Sequence, residues 1–259
     1  MPIIRFVPFK VNFDIIKKID KYLNWLLYLT VMLGVLILIL SEFPITGAER
    51  FTENSNYAIG TLSLFYFLGD LIKKFLLQLA EQRRRKDFID NSLNTRLADV
   101  NSEGYYSNDQ FDTGIYKMGI NCFENSFFSM SISGKMIPKM IIQSLFIVLL
   151  FCLLLMTTDK ITIATFMQFA LPYTIIQQTI IIIIYHLQIG AIFNQFKLLF
   201  SSAREQARDL LLIHNVINYE STIAWAGVVL DDGIFSQHNN DLSQQWEQIK
   251  ESHQIIPEG

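Results

Sequence analysis

The chain has 259 residues, of which 51% are hydrophobic and 17% charged, and its formal net charge is -3. Its mean hydropathy is +0.30. This apolar content is high and this charge is low for a soluble domain, which argues against an ordinary soluble protein. The small negative charge excludes a general attraction to nucleic acid, so any site for a polyanion must be local. The two cysteines, Cys122 and Cys152, are too few for a metal site, and a disulfide between them is not expected because only Cys152 falls in an apolar span.

Residues 1–80 predict an N-terminal interfacial helix followed by a transmembrane hairpin. Five basic residues and a one-sided run of isoleucines over residues 1–21 favour a short helix at the membrane surface. Tyr22 to Leu40 is the first predicted span, and its aromatic residues lie toward the basic end, where they favour the headgroup level. No small-residue cleavage site follows the apolar run, so this helix is expected to be retained.

The second predicted span runs from Tyr57 to about Leu77, after an external loop that contains proline and glycine. About 20 apolar residues in a helix cross the hydrocarbon core of a bilayer. Asp70 stands three and four residues before Lys73 and Lys74, which predicts a local ion pair that reduces the cost of burying the acid. The alternative is that this part already lies at the interface, with the lysine ammonium groups reaching into water.

Residues 81–136 predict a cytoplasmic helical segment. The second span continues without glycine or proline into LLQLAEQRRRKDFIDNS, and the chain after Asn91 is polar and turn-rich. A further amphipathic helix is expected to begin near Asp109 or Asp112, either of which can cap it. It is expected to end at SISGKMIP, because Pro138 suits the first turn of the next span. The apolar stripe of this helix comprises Tyr116, Ile120, Phe123, Phe127 and Met130.

Residues 137–187 predict the second transmembrane hairpin. Met140 to Met156 and Ile161 to Leu187 contain no charged side chain when His186 is counted as neutral, and a short polar break separates them. Lipid offers no partner for backbone polar groups, and barrel strands would alternate, so two membrane helices are expected. The alternative is a buried hairpin in a soluble core, which the upstream pair of apolar segments disfavours.

Residues 188–259 predict a cytoplasmic stalk and a helical tail. The apolar stripe continues past Leu187, so one helix is predicted from Ile161 to near Asn215. The stripe is expected to pack either against the central segment or against copies of itself. After Asn218 come a short apolar run, a predicted turn at DDG, and a final helix near DLSQQWEQIKE. The carboxylates of IDNS and LDDG are expected to be isolated in polar turns.

The basic residues predict the orientation of the chain. All but two of the 21 lysines and arginines lie outside the two predicted external loops, which contain only Arg50 and Lys160. Because cytoplasmic loops carry the excess of basic residues, both termini and the central segment are predicted to be cytoplasmic. Overall the sequence predicts an all-α integral membrane protein with four transmembrane helices, arranged as two hairpins, and a helical cytoplasmic domain.

The densest positive cluster, at the exit of the second span, is the candidate ligand-binding site. Adjacent positions point around most of a helix, so one subunit cannot direct all of them at one ligand, and several subunits would contribute. Such a site would bind the phosphates of a nucleotide or oligonucleotide. The alternative is a stop-transfer and lipid-headgroup anchor. The candidate residues are Arg83, Arg84, Arg85 and Lys86, with Arg96 and Lys117 assisting.

The fourth predicted span carries unusual polarity and is the candidate gate. Amides near mid-membrane are unfavourable unless they find partners. They would either join helices, at about 0.6–2 kcal/mol each, or line a wet pore. A proline here would kink the helix and could act as a hinge. The candidate pore or gate residues are Gln168, Pro172, Thr174, Gln177 and Gln178.

Enzyme signatures are not found in the sequence. The four histidines are scattered, and there is no HExxH, GxSxG, CxxC or glycine-rich phosphate loop. No catalytic residue, metal ligand or cofactor is therefore predicted.

Several stretches together resemble a family of bacterial membrane effectors. These are a basic helix exit (RRRKDFIDNSLNTRL), a polar turn (SEGYYSND), an ENSFF helix, and a tail with YESTIAWAGVVLDD and LSQQWEQIK. With two hairpins, they resemble the SMODS-associated four-transmembrane pore-forming effectors, and are similar to Hailong-type channel effectors. The resemblance covers most of the chain from about Tyr22 onward. It implies anti-phage defence, in which a partner nucleotidyltransferase makes, or stops making, a nucleotide signal and the effector dissipates the membrane potential.

The first function hypothesis is therefore a homo-oligomeric ion channel of the bacterial inner membrane, with a tetramer as one candidate assembly, gated by a cytoplasmic nucleotide or oligonucleotide. The second is a non-conducting membrane sensor or scaffold that recruits a soluble partner protein to its acidic tail. A small-solute transporter is disfavoured, because no internal repeat and no pair of broken helices is found.

Overall fold

The computed structural model describes residues 6–42, 48–157, 171–202 and 205–255. These residues form six helices and no strand, which confirms the predicted all-helical class. In chain order the helices are α1 (Lys10–Glu42), α2 (Ala48–Leu93), α3 (Ile115–Thr157), α4 (Leu171–Ser202), α5 (Glu205–Ala226) and α6 (Asp232–Ser252).

Three helical segments are long and apolar enough to cross a membrane: Lys10–Ile37, Ile115–Leu149 and Ile175–Ser201. The prediction of a membrane-spanning protein is confirmed at this level. The predicted second span lies within α2 and is not among the three, since its apolar run is interrupted by Asp70 and two lysines. On α1 the rings of Tyr22 and Trp25 are 73% and 66% exposed, as amphipathic side chains at a membrane surface would be.

One predicted helix boundary was wrong because the helix continues through it. The helix expected to end before Pro138 runs through it to the end of α3. The predicted interfacial helix leads into the first span as the single helix α1. Proline removes one backbone donor and crowds the carbonyl four residues earlier. Pro138 nevertheless lies inside α3, which is helical on both sides of it.

The C-terminal boundaries also differ from the prediction. Gly227, with a positive φ of 55°, follows the end of α5, a position where glycine avoids the steric penalty of other residues. DDG, predicted as a turn, is the start of α6, where the Asp231 side chain accepts hydrogen bonds from the amides of Gly233 (2.7 Å) and Ile234 (3.0 Å). The single helix predicted from Ile161 is described as α4 and α5, and residues 158–170 and 203–204 lie outside the described ranges.

The described residues form two compact units. The apolar unit comprises those of Phe13–Leu77 and Lys139–Thr179, and the second unit comprises those of Met1–Asn12, Gln78–Pro138 and Ile180–Gly259.

The apolar unit has a core to which four helices contribute. Leu27 of α1, Ile147 of α3 and Ile175 of α4 are buried together, and Val31 of α1 and Tyr66 of α2 pack against them. These side chains are far apart in sequence and form a single cluster to which all four helices contribute.

An ion cluster joins α1 to α2 in the apolar unit. The predicted pairing is present, because Asp70 lies 3.3 Å from the Lys73 ammonium and 2.8 Å from that of Lys74. Asp20 of α1 adds a third contact, 2.8 Å from the Lys73 ammonium, that local spacing could not predict. Gly69 allows this close approach, since a Cβ atom there would lie 2.6 Å from the Leu23 side chain.

The second unit has an aromatic core. Phe123 of α3 is fully buried, and its ring lies 5.1–5.6 Å, centroid to centroid, from four other rings. The predicted stripe of α3 therefore packs against the continuing stripe of α4 within one chain, which is the first of the two expected alternatives. The four rings belong to Phe193, Phe196, Phe200 and Trp246.

Candidate functional site

The basic cluster of α2 is divided between two environments. Arg83 and Lys86 are exposed, although the Arg83 Nη1 donates a hydrogen bond to the Asn12 side chain at 3.0 Å. Arg84 is largely buried, with a side chain that is 14% exposed. The Arg85 side chain is partly buried. The cluster thus divides as helix geometry requires, and only part of it faces water.

Glu220 of α5 binds two of the predicted ligand arginines. Its Oε2 lies 2.6 Å from the Arg84 Nη2 and 3.0 Å from the Arg85 Nε. Glu81, one turn before Arg84 on α2, accepts a third hydrogen bond at 2.7 Å from the Arg84 Nε. Two carboxylates therefore neutralise two guanidinium groups, so the guanidinium of Arg84 is occupied by an internal ion pair.

The electrostatics of Arg84 follow from these partners. Burial opposes its charged form, but the carboxylates of Glu81 and Glu220 hold the pKa of the guanidinium well above its ordinary value. The other carboxylate oxygen of Glu220, Oε1, is buried and has no hydrogen-bond partner among the described residues. The network is thus charged and largely buried, which makes it sensitive to the loss of any member.

The two assisting residues do not join the cluster. Arg96 is exposed in the segment after α2, whereas Lys117 is buried near the start of α3 and pairs with Asp109 at 3.1 Å. The residues that remain available to an external phosphate are therefore Arg83, Lys86 and Arg96.

Two aspartates at the end of α2 hold that segment in place. Asp90 was predicted to be isolated in a polar turn, and this was wrong: it is buried and accepts hydrogen bonds from the Thr95 hydroxyl (2.6 Å) and from the amides of Leu97 and Ala98 (both 2.8 Å). Burial opposes its ionisation, but these hydrogen bonds hold the pKa of the Asp90 carboxyl below its usual value. The segment that carries Arg96 is thereby fixed to the helix exit.

Asp87 makes a similar set of contacts one turn earlier. It accepts hydrogen bonds from the amide and hydroxyl of Ser102, both at 2.7 Å, and from the Tyr106 hydroxyl at 2.9 Å. Burial and the adjacent Asp87 carboxylate raise the pKa of the Tyr106 phenol, so it remains a donor. Asp87 and Asp90 of the RRRKDFID stretch thus hold the following segment against α2. Arg83 and Lys86 of the same stretch are exposed.

The predicted gate residues are partly described. Gln168 lies outside the described ranges, and Pro172 and Thr174 lie in the first turn of α4. Gln177 is exposed and Gln178 half-buried, and within the described part of the chain neither side chain has a hydrogen-bond partner.

A different polar pair joins the helices at this level. The Thr179 hydroxyl of α4 lies 2.7 Å from that of Ser144 on α3, and it also lies 3.0 Å from the Ile175 carbonyl. One of the two roles predicted for the glutamines was hydrogen bonding between helices. Thr179 performs this role within one chain. In comparisons with family models, curated proteins and solved structures, nothing matched the chain.

Proposed function

We propose that this protein is a homo-oligomeric ion channel of a bacterial inner membrane, gated by a cytoplasmic nucleotide or oligonucleotide signal in anti-phage defence. The observation that carries the proposal is the state of Gln177 and Gln178, two amides in an apolar helix without partners among the described residues of one chain. An amide in hydrocarbon is unfavourable unless it is hydrated or bonded. Copies of α4 around a hydrated axis would satisfy both residues.

The contacts of the apolar unit support four spans in this proposal. Four helices share one core, and the second of them, α2, has large apolar residues on its outer surface, such as Phe65 at 61% and Leu64 at 57% exposure. The Asp20–Lys73–Asp70 cluster neutralises the charges that interrupt its apolar run. Such surfaces suit contact with lipid tails, with both termini on the cytoplasmic side.

The link between Arg84, Arg85 and Glu220 supports a route for gating. An anion bound by Arg83, Lys86 and Arg96 would attract the half-exposed Arg85 guanidinium away from Glu220. Glu220 lies on α5, which begins three residues after the end of α4. A change in this ion-pair network would therefore alter the contact between α2 and α5. Because α5 follows α4 in the chain, this change could be passed to the helix that carries the glutamines.

The channel is tested by ion flux through purified protein in liposomes, before and after addition of cyclic and linear oligonucleotides. We expect flux that changes with one of these ligands. Replacing Gln177 and Gln178 together by leucine is expected to reduce flux by about tenfold or more while the oligomer still assembles, since the pore would lose its polar lining. Gln188→Leu, an exposed glutamine three turns farther along α4, is the matched control and should leave flux unchanged.

Two outcomes would contradict this interpretation. Absence of flux with every ligand, from protein shown to be folded and oligomeric, would exclude the channel. Loss of assembly in the double leucine variant would show that the glutamines bind another copy rather than line a pore.

An exposed face of α5 favours the second candidate, a scaffold that recruits a soluble partner. Leu210, Ile217 and Trp225 are 73%, 58% and 57% exposed and recur at spacings of seven and eight residues, which places them on one face. Apolar side chains on one helix face are typical of an interaction surface.

The scaffold is tested by replacing Leu210, Ile217 and Trp225 with serine and measuring co-purification with proteins encoded beside it. Loss of a partner with unchanged flux would favour the scaffold, and unchanged co-purification would exclude this face. The substitutions are preferable to deleting the chain after Asn218, because that deletion would remove Trp246 from the aromatic core.

A further inference from the structure

A cavity of about 690 Å³ lies among α3, α4 and α6 in the second unit. Its volume is within the range of about 300–1,000 Å³ that is typical of small-molecule sites. Six polar side chains from three helices line it, together with the apolar side chains of Met130 and Leu242. The polar residues are Ser131, Lys135, His186, His238, Asp241 and Gln245.

The His186 ring is held in one orientation by the backbone of α3. Its Nδ1 lies 3.1 Å from the Met130 carbonyl oxygen and 3.1 Å from the Ser133 hydroxyl. A carbonyl only accepts hydrogen bonds, so Nδ1 carries the proton toward it, and Nε2 remains for a ligand.

Gly134 makes room for that ring. A Cβ atom at this position would lie 2.9 Å from the His186 Cε1, which is closer than real Cβ contacts. Any larger residue would therefore displace the imidazole from the cavity wall.

The other polar groups of the cavity are not engaged by other described residues. Lys135, His238 and Gln245 have no hydrogen-bond partner in the described ranges, and Asp241 is the single carboxylate on the wall. Lys135 and Asp241 give the wall one cation and one anion. No three His, Cys, Asp or Glu residues within the described ranges are placed to hold a metal ion, which favours an organic ligand over a metal.

We propose that this cavity binds a phosphomonoester carried by a small, otherwise uncharged body. Lys135 and His238 supply N–H donors to the terminal oxygens of a phosphomonoester, and the Nε2 of His186 accepts a hydrogen bond from the ligand. Met130 and Leu242 cover an apolar part of the ligand, and its hydroxyl or amide groups are recognised at the other end.

Asp241 and Gln245 suit that recognition. They lie one turn apart on α6 and offer a carboxylate and an amide, which bind hydroxyl and amino groups. The phosphate is kept away from Asp241 because two anions repel, so the ligand binds with its uncharged body on the α6 side. This site is separate from the basic helix exit, and the proposal does not depend on whether the protein conducts ions.

Isothermal titration of the full-length protein in phosphatidylcholine nanodiscs tests the proposal, with adenosine 5'-monophosphate and inorganic phosphate as probes and adenosine as the uncharged control. We expect both probes to bind and adenosine to bind far more weakly. Lys135→Gln and His238→Gln should each weaken binding of the monophosphate by about tenfold or more, as expected for loss of a hydrogen bond to a charged group. Asp241→Asn should tighten binding of inorganic phosphate, because a like charge is removed.

Lys139→Gln is the matched control, since Lys139 is an exposed lysine one turn along α3 that does not line the cavity. Added phosphatidic acid separates two sources of the phosphomonoester: competition with the soluble monophosphate assigns the site to a lipid headgroup, and no competition assigns it to a soluble ligand. Three results would overturn the proposal: no binding of either phosphate probe, equal binding of adenosine and its monophosphate, or an equal loss in Lys139→Gln and Lys135→Gln. Weakening by Arg83→Gln with Lys86→Gln, and not by Lys135→Gln, would also overturn it by placing the anion at the helix exit.

Discussion

Glu220→Ala is expected to lower the free energy of unfolding by about 3 kcal/mol, because it leaves the buried Arg84 guanidinium with only one of its two carboxylate partners. The side chains of Arg84 and Glu220 are only 14% and 13% exposed, so water cannot replace the lost partner without opening the contact between α2 and α5. The measurement is equilibrium unfolding of the full chain in detergent. Because the same pair is part of the proposed gating route, ligand-dependent flux should be altered in this variant as well.

Arg85→Ala removes the other cation that binds Glu220 and provides an internal comparison. Its side chain is 36% exposed, and ion pairs of that exposure contribute about 0–1 kcal/mol. Glu251→Ala, an exposed acid in α6, should stay within about 0.5 kcal/mol of the unaltered protein. Equal small losses in Glu220→Ala and Arg85→Ala would show that the Arg84–Glu220 pair is open to water in the folded protein.

The sequence predicted those features of the fold that depend on neighbouring residues. Apolar runs predicted the membrane helices, spacing of three and four predicted the Asp70 ion pairs, and the stripe of α3 predicted its buried face. Each depends on the periodicity of a helix, which is visible in a short window. The helical class was therefore predictable, whereas the number of spans depended on how the charges within α2 were weighed.

Features that join distant parts of the chain were not predictable. Glu220 is 136 residues from Arg84, and nothing in the spacing of either residue indicates the other. The same holds for His186 and His238, which were judged scattered but line one cavity. The predicted ligand site therefore differs most from the structure. Of its four adjacent basic residues, two are exposed cations and two are arginines bound to Glu220.

Two local sequence signals also led to wrong predictions of secondary structure. Pro138 predicted a helix start but lies inside α3, and DDG predicted a turn but caps α6. In the second case the same residue types serve both structures, because an aspartate that accepts backbone hydrogen bonds stabilises a turn or a helix start. The residues after the aspartate decide between the two structures, and here they form an amphipathic helix in which Leu242 and Trp246 are buried.

Phe123→Ala is expected to destabilise the second unit by about 3–5 kcal/mol, the loss that accompanies truncation of a buried aromatic side chain. Phe123 is 0% exposed and contacts rings from α4 and α6, so its removal leaves a cavity at the point where three helices meet. These neighbours are large, and Phe196 and Phe200 stack on each other, which limits how far the site can collapse. The measurement is the loss of near-ultraviolet circular dichroism on heating in detergent, since that signal reports the fixed packing of aromatic side chains.

Two variants separate cavity formation from a general effect of losing an aromatic residue. Phe123→Leu keeps most of the volume and should lose less than about half as much as Phe123→Ala. Phe128→Ala removes a ring of the same type from the same helix at a half-buried position, and its loss should likewise be small. If Phe128→Ala proved as damaging as Phe123→Ala, the centre of the second unit would lie on the other face of α3. The stripe predicted from the sequence would then not be the face that holds α4 and α6 in place.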